Sequence, residues 1–185
     1  MPENKALIAI CTGHAHVERA IAELQRLDFE MTHLSAFGKA YLNDEEVVGC
    51  YTAGGRLRTH GWSFAFWERL WNLLGEGGFL FVPGIGPIVF AGPFVRTFAA
   101  TIENNVTVGG LSPLGAAIYS LGIHKDSILR YEIEIRANEC ALLATGLAKA
   151  LAKARIALEK VGATEIITSD ECRLKRTDEV LQMAR

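Results

Sequence analysis

Residues 77–95 read GGFLFVPGIGPIVFAGPFV, 19 positions with no charged or hydrogen-bonding side chain and with glycine and proline recurring throughout. A second uncharged run, NNVTVGGLSPLGAAIYSLGI, follows at 104–123. So much apolar, small and helix-punctuating sequence must pack closely against something: the chain's own core, a second copy, or lipid. The first run approaches the ~20 residues a spanning helix needs. Pro83, Pro87 and Pro93 oppose that use, because each interior proline costs a helix about 3 kcal/mol and freed amides are least tolerable in lipid. The second run, with Asn104, Asn105, Ser112 and Pro113, spans poorly as well. A helical hairpin buried in protein is therefore expected, its turn set by Pro83–Pro87.

Working outward, WSFAFWERLWNLL at 62–74 holds all three tryptophans, Trp62, Trp67 and Trp71. Its apolar residues run most of the way round a helix, so it is buried on several sides or lies at an interface. Downstream, Ser112-Pro113 reads as a helix start and Gly122 as its stop. A further helix over 126–137 carries Ile128, Tyr131, Glu132 and Ile135 at helical spacing, with Asn138 as a left-handed terminator. Residues 59–138 thus read as a helical insertion.

The two ends of the chain look like copies of one strand-helix-strand unit. ALIAIC, HAHVERAIAELQRLDF and MTHLSAF form the first; CALLATG, LAKALAKARIALEKVGA and TEIITS form the second. Superposing them matches Leu24 with Leu158 and Ser35 with Ser169. Each helix has one apolar stripe, Val17, Ala20, Ile21, Leu24 and Leu27 in the first, Leu147, Leu151, Ala154, Leu158 and Val161 in the second. Gly162 supplies the left-handed stop. AFGKAYL and EEVVGCY, flanking Asn43-Asp44, read as a strand hairpin. This pattern predicts an α+β fold, ferredoxin-like split β-α-β units with helices on one face of an antiparallel sheet. The frame is 1–58 and 139–170, and 171–185 is a polar tail.

Composition narrows the function classes. The chain has 185 residues, is 50% hydrophobic and carries a net charge of −2, which argues against nucleic-acid binding. The basic trio Arg173, Lys175 and Arg176 is interleaved with acids and reads as a solvated helix face. MPENKALIAIC lacks a signal-peptide pattern, so cytoplasmic residence is expected, with peripheral or inserted association at the inner membrane as the alternative. Cys11, Cys50, Cys140 and Cys172 form no CxxC pair, so neither a disulfide framework nor a zinc site is expected.

Few residues point to chemistry. His14 and His16 open a helix, where that spacing points them apart. The glycine clusters lack the Lys-Ser/Thr of a phosphate loop and the spacing of a dinucleotide fingerprint. Ser112 is followed by proline and has no nucleophile-elbow context. Glu132 and Glu134 diverge and read as a solvated face. No catalytic residue, cofactor or metal is assigned.

Taken in order, VPGIGPIVFAGP, LGIHKDSILRYEIEIRANECALLAT and ALEKVGATEI form a pattern that resembles the bacterial general-stress-protein family of heat-induced, 17M-like proteins, a family of unknown function. The resemblance spans about 5–169; its most specific pieces are Pro83-Gly84-Ile85-Gly86-Pro87, Gly92-Pro93 and Tyr131. It implies a ferredoxin-like frame with a glycine-rich helical hairpin and frequent description as membrane proteins. The Trp-rich helix departs from the pattern, where a glycine-rich helix is usual.

Apolar residues beyond the needs of one small frame usually mark an interface. The expected function is therefore non-enzymatic: a self-assembling, stress-associated structural or interaction protein whose partner is itself. Trp62, Trp67 and Trp71 are the expected anchors, and Pro83, Gly84, Gly86 and Pro87 the turn. Gly92, Pro93, Gly109, Gly110 and Gly115 complete the expected oligomer interface. A membrane-associated protein with an apolar hairpin is the alternative, and a small-ligand-binding regulatory module a further one.

Overall fold

The strand KALIAIC, Lys5–Cys11, shows no polar alternation, and its residues from Ala6 to Cys11 are all buried. A strand covered on both faces reads in this way, as a continuous apolar run. The computed structural model describes residues 5–40, 62–173 and 182–183, and it places this strand inside a six-stranded sheet. The elements are β1 (Lys5–Cys11), α1 (Gly13–Arg26), β2 (Leu34–Lys39), α2 (Trp62–Leu74), β3 (Gly77–Val82) and β4 (Gly86–Ala91). They continue with α3 (Phe94–Glu103), α4 (Pro113–Ser120), α5 (Lys125–Arg136), β5 (Cys140–Gly146), α6 (Ala148–Lys160) and β6 (Thr164–Thr168). The sheet order is β3-β4-β2-β5-β1-β6, and every neighbouring pair is antiparallel.

The two end units each form strand, helix, strand. β5 lies between β1 and β2, in register from Lys5↔Gly146 to Cys11↔Cys140 on one side and at Leu34↔Ala144 on the other. β1 in turn separates β5 from β6. The matched serines do matching work, each buried and each accepting a backbone N–H: Ser35 Oγ from Phe94 at 3.0 Å, Ser169 Oγ from Ala6 at 3.2 Å.

Side-chain alternation along the strands feeds two cores. Leu7, Ala9, Cys11, Leu142 and Ala144 point to one face, where α1, α2 and α6 cover them. Ala6, Ile8, Ile10, Phe37 and Leu143 point to the other, under Phe94 and Phe98 of α3, Leu114 and Ile118 of α4, and Ile128, Tyr131 and Ile135 of α5. The expectation of helices on one face is therefore corrected. A bare second face carrying Ile8, Ile10 and Phe37 would leave large apolar area in water, at about 25 cal/mol per Å².

The region 59–138 is corrected too: it is not wholly helical. Gly77–Val82 and Gly86–Ala91 are strands that extend the sheet beyond β2. Their hairpin closes at Pro83-Gly84, where Ile85 N–H donates to Val82 O at 3.1 Å and Gly84 has φ +82°. That is the Pro-Gly order of a type II turn. Pro87 sits near the beginning of β4, where its carbonyl accepts from Ala40 N–H at 3.0 Å. A Pro-punctuated run too broken for a helix suits strand ends and turns.

Several local signals are realised as read. Ser112 caps α4, its Oγ accepting from Gly115 N–H at 3.2 Å. Gly122, Asn138 and Gly162 have φ of +87°, +71° and +80° after their helices. The tail boundary at 171 is corrected, because residues 169–173 form a helical turn and Cys172 lies in the second core, its Sγ accepting from His124 N–H. The hairpin around Asn43-Asp44 lies outside the described residues beyond its first strand.

Candidate interaction surface

β3 lies at one end of the sheet, with β4 its neighbour among the described residues. Period-two alternation divides its side chains. Val82 is buried in the second core and Leu80 packs against it, while Phe79 and Phe81 face the α2 side, 39% and 62% exposed. Leu73, near the end of α2, is 39% exposed. No charged residue falls between Glu76 and Arg96. Natural edge strands are commonly blunted by charge, by an inserted proline or by a bulge, and Gly77–Val82 has neither charge nor proline.

Trp71 fixes the start of this edge. Its indole N–H donates to Phe90 O at 2.8 Å, and a Cβ at Gly77 would overlap its ring. Glycine at 77 is what lets the ring lie across the strand. Glu76 and Arg96 pair beside it on the surface.

The expected interface residues are distributed unevenly. Trp71, Pro83, Gly84, Gly86 and Pro87 belong to the β3–β4 hairpin or cover it. Trp67 is corrected as an anchor: it is 2% exposed within its own chain, and a Cβ at Gly38 would stand 3.5 Å from its ring. The Trp62 side chain lies outside the described residues. Gly92 is buried with φ +95°, and a Cβ there would overlap Leu34 O; Pro93 follows it directly before α3. Gly109 and Gly110 sit in an exposed loop between α3 and α4 rather than on a helix, and Gly115 is buried in α4. Gly92 and Gly115 therefore serve packing within the chain, and the small residues do not form one surface for helix approach. Phe79 and Phe81 were not among the expected residues. Phe79 to Val82 is a continuous apolar run without polar alternation, so periodicity alone gave no signal separating the two faces.

Polar side chains elsewhere are tied into structure. His16 is buried, its Nδ1 accepting from Thr12 N–H at 3.0 Å and its Nε2 lying 2.8 Å from Val161 O; donation to that carbonyl uses the remaining N–H of a neutral ring. His14 stacks on Phe66 at 4.0 Å, and burial pulls its pKa below the ordinary histidine value despite the nearby Glu18. Glu132, expected on a solvated face, is buried. Its carboxylate accepts from Ser112 N–H at 2.9 Å and Ser112 Oγ at 2.6 Å, completing the α4 cap. Burial pushes the Cys11 and Cys140 thiols up to about 12, so they are poor nucleophiles and ligands at neutral pH.

A shallow cleft of about 270 Å³ is lined by Ser127, Arg130, Glu165, Ile166, Ile167 and Glu171. Its charges are already matched, Arg130 with Glu165 at 3.2 Å and Glu171 with Arg155 at 2.6 Å. Burial pushes the Glu171 carboxyl up, but Arg155 and Thr168 hold it below the usual range. Among the described residues no group of three or more His, Cys, Asp or Glu side chains could hold a metal ion. No described helix is long and apolar enough to cross a membrane. No protein-family model, curated protein or solved structure matches the chain.

Proposed function

We propose that this chain is a non-enzymatic, self-assembling interaction protein built on a ferredoxin-like frame. Support for the frame comes from the order β6-β1-β5-β2 within the sheet, two antiparallel-interleaved β-α-β units, to which the β3–β4 hairpin is appended. The observation that carries self-assembly is the exposure of Phe79 and Phe81, two residues apart on one face of an uncharged edge strand. Contiguous apolar exposure of this kind marks an interaction site. The association with stress rests on the sequence resemblance alone.

Light scattering on a detergent-free size-exclusion run tests the reading. A discrete species at a multiple of 20.2 kDa is expected. A monomer at every concentration overturns it; protein recovered only in the membrane pellet overturns it and favours the lipid alternative.

A further inference from the structure

The backbone of β3 says how two copies would meet, an inference that rests on the self-assembly reading. In an antiparallel pair, residues alternate between hydrogen-bonded and non-hydrogen-bonded positions. The Pro87 carbonyl is turned toward β2, where it accepts from Ala40. Its cross-strand partner Phe81 therefore directs its own N–H and C=O away from β4, as do Phe79 and Gly77 two and four residues earlier. Among the described residues the outer edge thus presents three donors and three acceptors at strand spacing, flanked by exposed aromatic rings.

We propose that β3 of one copy pairs antiparallel with β3 of a second copy, centred on Phe79, joining the two sheets into one. Three facing pairs result: Gly77 with Phe81, Phe79 with Phe79, and Phe81 with Gly77. Each pair of this type exchanges two bonds, so about six main-chain bonds form. Every Phe81 ring then stands opposite a glycine, next to the Trp71 that covers it. Trp71 already occupies the space over Gly77, so the partner's Phe81 ring packs against that indole, and both copies do this at once.

Charge disfavours the parallel sense, and the self-matching register of an uncharged strand favours a second copy over a charged, unrelated strand. Glu76 lies at the start of β3. The far end is basic: a Cβ at Gly84 would stand 4.0 Å from Arg136 Nη2, and one at Gly86 would stand 3.7 Å from Lys39 Cε. Arg96 already balances Glu76, and Glu132 lies 4.0 Å from Arg136, so antiparallel pairing sets a near-neutral end against the other copy's Lys39. A parallel pairing would bring the two basic ends together.

Two variants in the full chain test this by light scattering and crosslinking. Phe81→Pro removes an outward N–H while leaving the β3–β4 bonds intact, and proline is tolerated on an edge. It should weaken association at least tenfold and return the mass from twice 20.2 kDa to 20.2 kDa, with unchanged circular dichroism. In a Cys50→Ser background, Phe79→Cys should give a covalent dimer with a short bismaleimide, whereas Ile156→Cys, 60% exposed on α6, should not. If Phe81→Pro does not fold, Phe79→Lys replaces it with the same expected loss. An oligomer that survives these changes without crosslinking at 79 overturns the β3 pairing and leaves self-assembly standing. A wild-type monomer overturns both, and its sedimentation with neutral phosphatidylcholine vesicles would give the edge to lipid.

Discussion

Gly115 lies directly beneath Glu132: a Cβ at residue 115 would overlap the Glu132 Oε1 that receives Ser112 N–H and Oγ. A glycine in one helix thus makes room for a buried carboxylate from the next. Together with Ser112 they hold the start of α4 against α5. Glu132→Ala should cost about 1–3 kcal/mol, because it leaves Ser112 donors unpaired. Gly115→Ala should cost a similar amount through overlap. In the double variant the second change should be nearly free, a coupling that denaturant titration of all four proteins would measure.

The Trp71–Gly77 contact makes an optical prediction. Gly77→Ala should displace the indole, break its bond to Phe90 O and cost about 1–3 kcal/mol. Tryptophan emission should shift to the red while the far-ultraviolet signal stays. An unchanged spectrum would mean that the ring is not seated across β3.

Acid should destabilise the fold in two separable stages. His14 takes a proton less readily folded than unfolded, because burial lowers its pKa from 6.5. The unfolded chain therefore binds more protons as pH drops past 6.5, so stability is full above that value and declines below it. His14→Phe, which keeps a ring on Phe66, should flatten this first decline. A second decline belongs to Glu171, whose carboxyl is held below its unfolded value of 4.5; its contribution is present above 4.5 and lost as pH falls through the folded value. Arg155→Gln should shrink that stage only. Unfolding free energies measured from pH 7.5 to 3 would separate the two.

The facing thiols Cys11 and Cys140 should be inert in the native protein. They pair across β1 and β5 with exposures of 0% and 2%, and burial disfavours the thiolate. In the Cys50→Ser background, Ellman's reagent at pH 8 should label none of the remaining cysteines on the timescale of minutes, and all three in denaturant. Fast labelling of the native protein would mean that the first core opens locally.

Much of this molecule was legible in local chemistry. The period of Val17, Ala20, Ile21 and Leu24 placed α1, the Ser112-Pro113 pair placed the start of α4, and Asn138 marked the end of α5 through its left-handed φ. Such signals depend on neighbours within a turn, so the chain carries them before it folds. The Ser35–Ser169 match revealed the repeat for the same reason. What the local sequence left open was where each apolar run would be buried. Residues 77–95 are apolar in any arrangement, and their glycines and prolines punctuate strands as readily as helices; only pairing of β4 with β2 made the run a hairpin of strands. Likewise Trp67 and Glu132 read as interface and solvent residues until two helical layers closed over a sheet apolar on both faces. Periodicity determined the elements, because it is set by backbone geometry. Burial of particular side chains was decided by tertiary structure, because it depends on partners far away in the chain.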